Sequence, residues 1–250
     1  MKKHRLWKIG TILLAVLLVI GICCAVYVSD YYRADAVALA ALEGTPAVQV
    51  EQTTDFIAFV PEEPVAGLVI YPGGKVEHSA YAPLALALAE QDILCVVVQM
   101  PFRLAVLDVN AADGIPEQFP QVENWYIGGH SLGGSMAADY AAKHGDDFRG
   151  VVLLAAYSTA DLTDTELAVL SLYGEKDGVL NMEKYEKYHD NLPKNAVETV
   201  IEGGNHCQFG SYGHQSGDGE ATISAGEQIE ITADLLAAWM AQYQPDAACK

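Results

Sequence analysis

Positive charge is what this 250-residue sequence has least of. It holds 14 Lys and Arg against 33 Asp and Glu, a formal net charge of −19. Lys2, Lys3, Arg5 and Lys8 stand before the first acid, Asp30, which leaves ten bases against 33 acids over the rest, a formal −23. A surface of that sign repels phosphate backbones and acidic polymers, so nucleic acid and anionic lipid are excluded as tight partners. Cysteine is also scarce. Cys23 and Cys24 lie in an apolar run, and Cys95, Cys207 and Cys249 are scattered beyond it. An odd, widely spaced set excludes a disulfide framework, and no cluster has metal-ligand spacing. Internal repeats and low-complexity tracts are absent, which excludes solenoid architectures.

Long apolar runs are absent too, except for one. Ile9 to Val28 carries no charge and contains Leu13, Leu14, Leu17, Leu18, Val19 and Ile20. Twenty residues at about 1.5 Å rise span roughly 30 Å, the thickness of a bilayer hydrocarbon core. A secretory apolar segment is shorter, about 7–15 residues. The small-x-small sequence Ala34-Asp35-Ala36 is offset from the run and contains an acid. An uncleaved signal anchor is therefore expected, with secretion after cleavage as the alternative. Bases before the run and Asp30 and Asp35 behind it put the remainder outside the membrane. Tyr27, Tyr31 and Tyr32 suit an interfacial aromatic belt. The expected organisation is a basic tip and transmembrane anchor over residues 1–28, an alanine-rich linker over 29–46, and one catalytic domain over 47–250.

The stretch Gly128-Gly129-His130-Ser131-Leu132-Gly133-Gly134 carries the chemistry. Trp125-Tyr126-Ile127 before it suits a buried strand, and Ser135 to Lys143 after it is rich in helix formers. G-x-S-x-G between strand and helix puts Ser131 on a sharp strained turn, where a Cβ at Gly129 or Gly133 would clash with the neighbouring chain. The helix start directs unpaired N–H groups at whatever Ser131 attacks.

A nucleophilic serine needs a base and an acid that orients it. Four histidines follow Ser131. His144 falls at the end of the elbow helix, and His189 lies on the polar face Met182 to Asp190. His206 follows the strand-like Val197 to Ile201 and the turn Glu202-Gly203-Gly204-Asn205, a place from which an imidazole can reach back to a serine. His206 is the expected base and His214, in the same loop system, the reserve. Leu170 to Gly174 reads as a strand, with Asp177 just past its carboxyl end, the edge where open α/β sheets gather their sites. Asp177 is the expected acid, ahead of Glu175, with Asp161 and Asp164 as weaker candidates. An oxyanion hole needs two backbone donors. One is the N–H of Leu132. The other belongs to the loop Pro72-Gly73-Gly74-Lys75 after the strand Gly67 to Tyr71, at Gly74 or Lys75.

The remaining pattern alternates strand and helix after an antiparallel ribbon over Val48 to Val60. Strands are expected at Ile93 to Gln99, Val151 to Ala155 and Leu167 to Tyr173. Helices are expected over Tyr81 to Ala89, from an Asn110 cap to Phe119, from Met182, and over Ile223 to Tyr243. Continuous apolar runs such as Val96-Val97-Val98 belong to strands buried on both faces. The fold class is α/β, a mostly parallel sheet with helices on both faces. The short gap from Ala155 to Leu167 leaves no room for a large cap, and the glycine-bearing stretch Ser211 to Ala225 is expected to be a flexible loop beside the base.

Tyr71-Pro72-Gly73-Gly74, Gly129-His130-Ser131-Leu132-Gly133-Gly134, Tyr173-Gly174 with Asp177-Gly178, and Gly203-Gly204-Asn205-His206 occur in that order between about Val48 and Tyr243. In this the chain resembles a minimal, lidless α/β-hydrolase of the dienelactone hydrolase-like group. The resemblance implies Ser131 as nucleophile, Asp177 as acid and His206 as base. Dienelactone hydrolases use a cysteine nucleophile where this chain has serine, so only fold and reaction class carry over. The expectation is hydrolysis of an ester or related acyl bond in a small-molecule substrate, without a cofactor. An acyltransferase or amidase with the same triad, and a non-catalytic surface scaffold, are the alternatives.

Overall fold

The computed structural model describes residues 2–243, with side chains from residue 7 onward, so Cys249 lies outside the described residues. The chain divides into two units, Met1–Tyr31 and Tyr32–Lys250. The first is one helix, α1 (Lys2–Ser29). Its segment Trp7–Ser29 has a mean hydropathy of 2.9 and no buried residue, so it is long and apolar enough to cross a membrane.

The second unit is built on an eight-stranded sheet. Its strands are β1 (Val48–Gln52), β2 (Phe56–Pro61), β3 (Ala66–Tyr71), β4 (Ile93–Val98), β5 (Trp125–His130), β6 (Gly150–Leu154), β7 (Ala168–Gly174) and β8 (Val197–Ile201). The spatial order is β1-β2-β4-β3-β5-β6-β7-β8. The ribbon β1–β2 pairs antiparallel and joins β4 antiparallel; every pairing from β4 to β8 is parallel. The helices are α2 (Ala36–Ala41), α3 (Ala82–Ala89), α4 (Ile115–Gln118), α5 (Leu132–Ala141), α6 (Met182–Lys187) and α7 (Ala225–Met240).

Side-chain alternation divides the core into two layers. Leu68 and Ile70 of β3 pack with Leu84 and Leu88 of α3 and Leu236 and Trp239 of α7. Val69 and Tyr71, one residue out of phase, pack on the other face with Ala137, Ala138 and Tyr140 of α5. All residues of β3, β4, β5 and β6 are buried, as strands covered on both faces must be. Each leucine-sized side chain so buried contributes about 1.5–3 kcal/mol. The edge strand β8 exposes Val197 and Val200.

Two local expectations differ from the structure. The stretch after Asn110 is a series of turns, and the helix begins only at Ile115, after Gly114 in the left-handed region (φ 73°) and with Pro116 in its first turn. A tertiary contact decides this: the Tyr71 hydroxyl, rising from β3, donates to Val109 O (2.7 Å) and accepts from Ala112 N–H (2.9 Å), replacing the bonds a helix would make there. The terminal helix starts at Ala225, where Ser224 and Glu227 form a capping box. The stretch expected as an alanine-rich linker over 29–46 carries the short helix α2, which Asp35 caps through Val37 and Ala38 N–H groups, with Ala38 and Ala41 buried; from Tyr32 on it falls in the second unit.

Candidate active site

The turn at Ser131, the expected nucleophile, is held by backbone. Ser131 has φ 53° and ψ −122°, a conformation an L-residue adopts only under constraint. The constraint is visible: Ser131 N–H donates to Leu154 O of the adjacent β6 (2.9 Å), and Ser131 O accepts from Ser135 N–H (3.2 Å). A Cβ on Gly129 or on Gly133 would run into Tyr71 O, so β3, β5 and α5 approach this closely only because both positions are glycine. Ser131 lines a cavity of about 210 Å³ together with His206, Ala155, Ala156, Val179 and Leu180.

The expected acid and base, Asp177 and His206, meet beyond the carboxyl ends of β7 and β8. Asp177 Oδ2 lies 2.8 Å from His206 Nδ1, and both side chains are almost wholly buried. Asp177 Oδ1 accepts from Val179 and Leu180 N–H (2.8 Å each), which fixes the carboxylate plane. With Nδ1 engaged, Nε2 is the free end of the ring; it is buried and has no hydrogen-bond partner. The other sequence candidates stand elsewhere. Glu175 is solvated, and its carboxylate accepts from Gly203 N–H (3.0 Å) and Lys176 Nζ (3.1 Å). Those bonds hold its carboxyl below the usual range. Asp161 binds Thr163, and Asp164 is exposed. His144 stacks on Tyr140 (4.1 Å), His189 pairs with Glu198 (2.6 Å), and His214 lines a different cavity with Asp35 and Cys207.

On the opposite side of Ser131, the loop after β3 presents its backbone. Gly73 N–H donates to the Tyr81 hydroxyl (2.9 Å), and Lys75 N–H donates to Arg103 O (2.8 Å). Neither Gly74 N–H nor Leu132 N–H has an acceptor among the described contacts. These two residues are neighbours, since a Cβ on Gly74 would sit 3.1 Å from Leu132 Cδ2.

Four supporting side chains escaped the sequence reading. Tyr81 OH lies 2.8 Å from His130 Nδ1 as well as holding Gly73 N–H. His130, the x of G-x-S-x-G, is buried with its ring 4.5 Å from that of His206. Burial and the neighbouring imidazole push its pKa well below the ordinary value, so it is a neutral ring. Asp218 gathers the base and acid loops: Oδ1 accepts from Gly178 (3.1 Å), His206 (3.2 Å) and Gly219 (2.9 Å) N–H groups, and Oδ2 from Cys207 N–H (2.8 Å). Partial burial raises its pKa, but these bonds outweigh that and hold it below the ordinary carboxylate value. Gln228 of α7 brackets Asn205, accepting from its N–H (2.9 Å) and donating to its O (2.8 Å). The stretch expected to flex beside the base is thus fastened at Asp218, and Asn205 Nδ2 adds a bond to Gly219 O (2.8 Å). The one local sign of this was Asp218 between two glycines, which is equally the mark of a plain turn.

Sheet order, elbow and loop positions together define the class. Residues 67–230 match the alpha/beta hydrolase family, and the chain belongs to it. Among similar solved structures is a dienelactone hydrolase from Anabaena variabilis, with 13% identity and a TM-score of 0.59 over 80% of this chain and 100% of that one. A predicted CIB-like hydrolase from Thermoplasma acidophilum has 16% identity and a TM-score of 0.56 over 77% and 99%. Est1E from Butyrivibrio proteoclasticus has 14% identity and a TM-score of 0.54 over 79% and 98%. At these identities the likeness is one of fold. No curated protein matches the sequence.

Proposed function

We propose that this α/β hydrolase is a serine hydrolase that cleaves an ester or related acyl bond through a covalent acyl-enzyme. The observation that carries the reading is the buried Asp177–His206 pair beside Ser131 in one cavity. Asp177 holds His206 Nδ1 at 2.8 Å, His206 Nε2 is left unpartnered, and that imidazole shares a cavity with the strained Ser131. Ser131 Oγ attacks the acyl carbonyl while its proton passes to Nε2. The carbonyl oxygen becomes an oxyanion held by Leu132 and Gly74 N–H groups, since Lys75 N–H is committed to Arg103 O. Collapse expels the alcohol, which takes the proton from Nε2. Water then attacks the ester on Ser131 with His206 again as base, releasing the acid and restoring the serine.

A cavity of about 210 Å³ walled by Ala155, Ala156, Val179 and Leu180 favours a short acyl group, since ligand pockets run to about 300–1,000 Å³. A cavity open to a second acceptor would serve acyl transfer or amide cleavage by the same machinery; the nucleophile supplied in the deacylation step discriminates. The apolar run Ile9 to Val28 within α1, with bases before it and acids after it, supports a single-pass anchor with the catalytic unit outside the membrane. In the secreted alternative, cleavage at Ala34-Asp35-Ala36 would discard residues folded into the second unit.

The deciding experiment is labelling of the full-length protein with a fluorophosphonate, followed by a chromogenic ester panel of increasing acyl length. Labelling at Ser131 with turnover of the shorter esters is expected. A folded wild-type chain that neither labels nor turns over would make it a non-catalytic scaffold.

A further inference from the structure

The segment just outside the apolar helix is woven into both sides of the candidate active site. Tyr32 N–H donates to Lys75 O (2.8 Å), and Tyr32 O accepts from Glu77 N–H (2.9 Å), a parallel bridge centred on Val76. Two residues on, Ala34 N–H donates to Glu77 Oε2 (3.0 Å). These bonds hold the outer edge of the loop Pro72–Lys75, whose inner edge presents Gly74 N–H. The same segment then crosses to the base loop. Asp35 N–H donates to Ser211 O (2.9 Å), and the Tyr32 ring packs on Tyr212 (centroids 5.5 Å). Tyr212 in turn faces His130 (6.5 Å), whose ring lies against His206.

We infer that Tyr32–Asp35 is a positioning strap for catalysis, coupling the oxyanion loop to the base loop. The inference rests on the Ser131 reading above. The two loops leave the sheet from β3 and β8, with β5, β6 and β7 between them. Among the described residues, Ser211 N–H also donates to Ala80 O (2.7 Å), in the turn that follows the oxyanion loop. The strap adds a second tie, and it adds it at Lys75 and Glu77, one to three residues from the donor itself. Oxyanion donors act only when preorganised within a few tenths of an ångström of the developing charge. A loop held on one side by Arg103 O and on the other by Tyr32 meets that demand; one that has lost its outer bonds samples other positions. Turnover therefore depends on residues that precede the first strand.

Point variants of the full-length chain test this, each with ester turnover, fluorophosphonate labelling rate and melting temperature. Ala34→Pro removes the N–H that bonds Glu77, and it keeps Arg33 in the extended range the strap needs. Glu77→Ala removes the acceptor, while Glu77→Gln keeps an oxygen there. Ala34→Pro and Glu77→Ala should each lower kcat by about tenfold with little change in KM, a fraction of the 10²–10³ that loss of an oxyanion donor costs. Glu77→Gln should stay within about twofold of wild type, and the double variant Ala34→Pro/Glu77→Ala should be no slower than either single one. Wild-type kcat in Glu77→Ala, or equal losses in Glu77→Gln and Glu77→Ala, overturns the strap. A drop in melting temperature without a drop in kcat also overturns it, since that is the mark of a purely structural tie. A wild-type chain inert to ester and probe overturns the Ser131 reading instead.

Discussion

The nucleophile elbow and the base loop are both short and glycine-bearing, but they are built differently. At the elbow, one contiguous stretch supplies strand, turn and helix, and backbone atoms of β3 and β6 complete it: Leu154 O takes Ser131 N–H, and Tyr71 O leaves space only for glycine at 129 and 133. The base loop has backbone bonds on either side of the histidine, such as Lys176 N–H to Gly204 O (2.8 Å) and Ser211 N–H to Ala80 O (2.7 Å), but at His206 itself the frame is made of side chains. His206 stands where it does because Asp177, Asp218 and Gln228, from three separate segments, bond its ring, its N–H and its neighbour Asn205. A backbone-framed site is stiff by local geometry; a side-chain-framed site is stiff only while each distant carboxylate or amide keeps its partners.

The comparison is tested most sharply at the nucleophile. Ser131→Ala should fold normally, because no side-chain bond of Ser131 supports the turn, and should lose about 10⁴-fold or more in kcat. A folded variant with residual turnover close to wild type ends the serine-hydrolase reading. Next in size is Asp177→Asn, which leaves an amide where Nδ1–H needs an acceptor and should cost about 10³-fold at neutral pH. Glu175→Gln should cost less than about threefold, since Glu175 touches Gly203 and Lys176 and not the imidazole. If the two results are reversed, the acid is Glu175.

Asp218→Asn addresses the frame rather than the chemistry. It replaces one accepting oxygen with an NH₂ group facing the Cys207 or His206 N–H, and should lower kcat by about tenfold and speed amide exchange at both residues. Its pH dependence has a definite sign. The folded pKa of Asp218 lies below the ordinary value of 3.8, so its stabilisation is complete above that value and is lost as pH falls through the folded value. Wild type should hold its melting temperature down to about pH 4 and lose this contribution below it. The Asn variant should lack that contribution at every pH; an unchanged acid limb would show that the carboxylate is not the tie. The smallest effect is expected for Gln228→Ala, which strands the Asn205 N–H in the core and should cost about 1–3 kcal/mol in stability, read by denaturant unfolding, with kcat reduced only a few-fold.

The strand–helix alternation and the elbow are legible in the sequence because each rests on short-range signals. Val96-Val97-Val98 declares a strand covered on both faces, and G-x-S-x-G between strand and helix has one steric solution. Asn110 misleads for the converse reason. An isolated cap signal yields to a tertiary bond, and the Tyr71 hydroxyl claims Val109 O and Ala112 N–H from 38 and 41 residues away. Tyr32–Asp35 likewise carry no mark of the loop they pair with until β3 has placed Lys75 and Glu77 beside them.

The sequence by itself therefore determined the apolar helix, the α/β alternation and the residue types at the elbow, because periodicity, charge and backbone sterics act between near neighbours along the chain. Only the tertiary structure decided the rest. It committed Lys75 N–H to Arg103 O, left Gly74 N–H without an acceptor among the described contacts, and fastened the base loop through Asp218. These are choices among chemically similar groups a few residues apart, and what separates them is a hydrogen bond to a partner the chain brings near only once the sheet has formed.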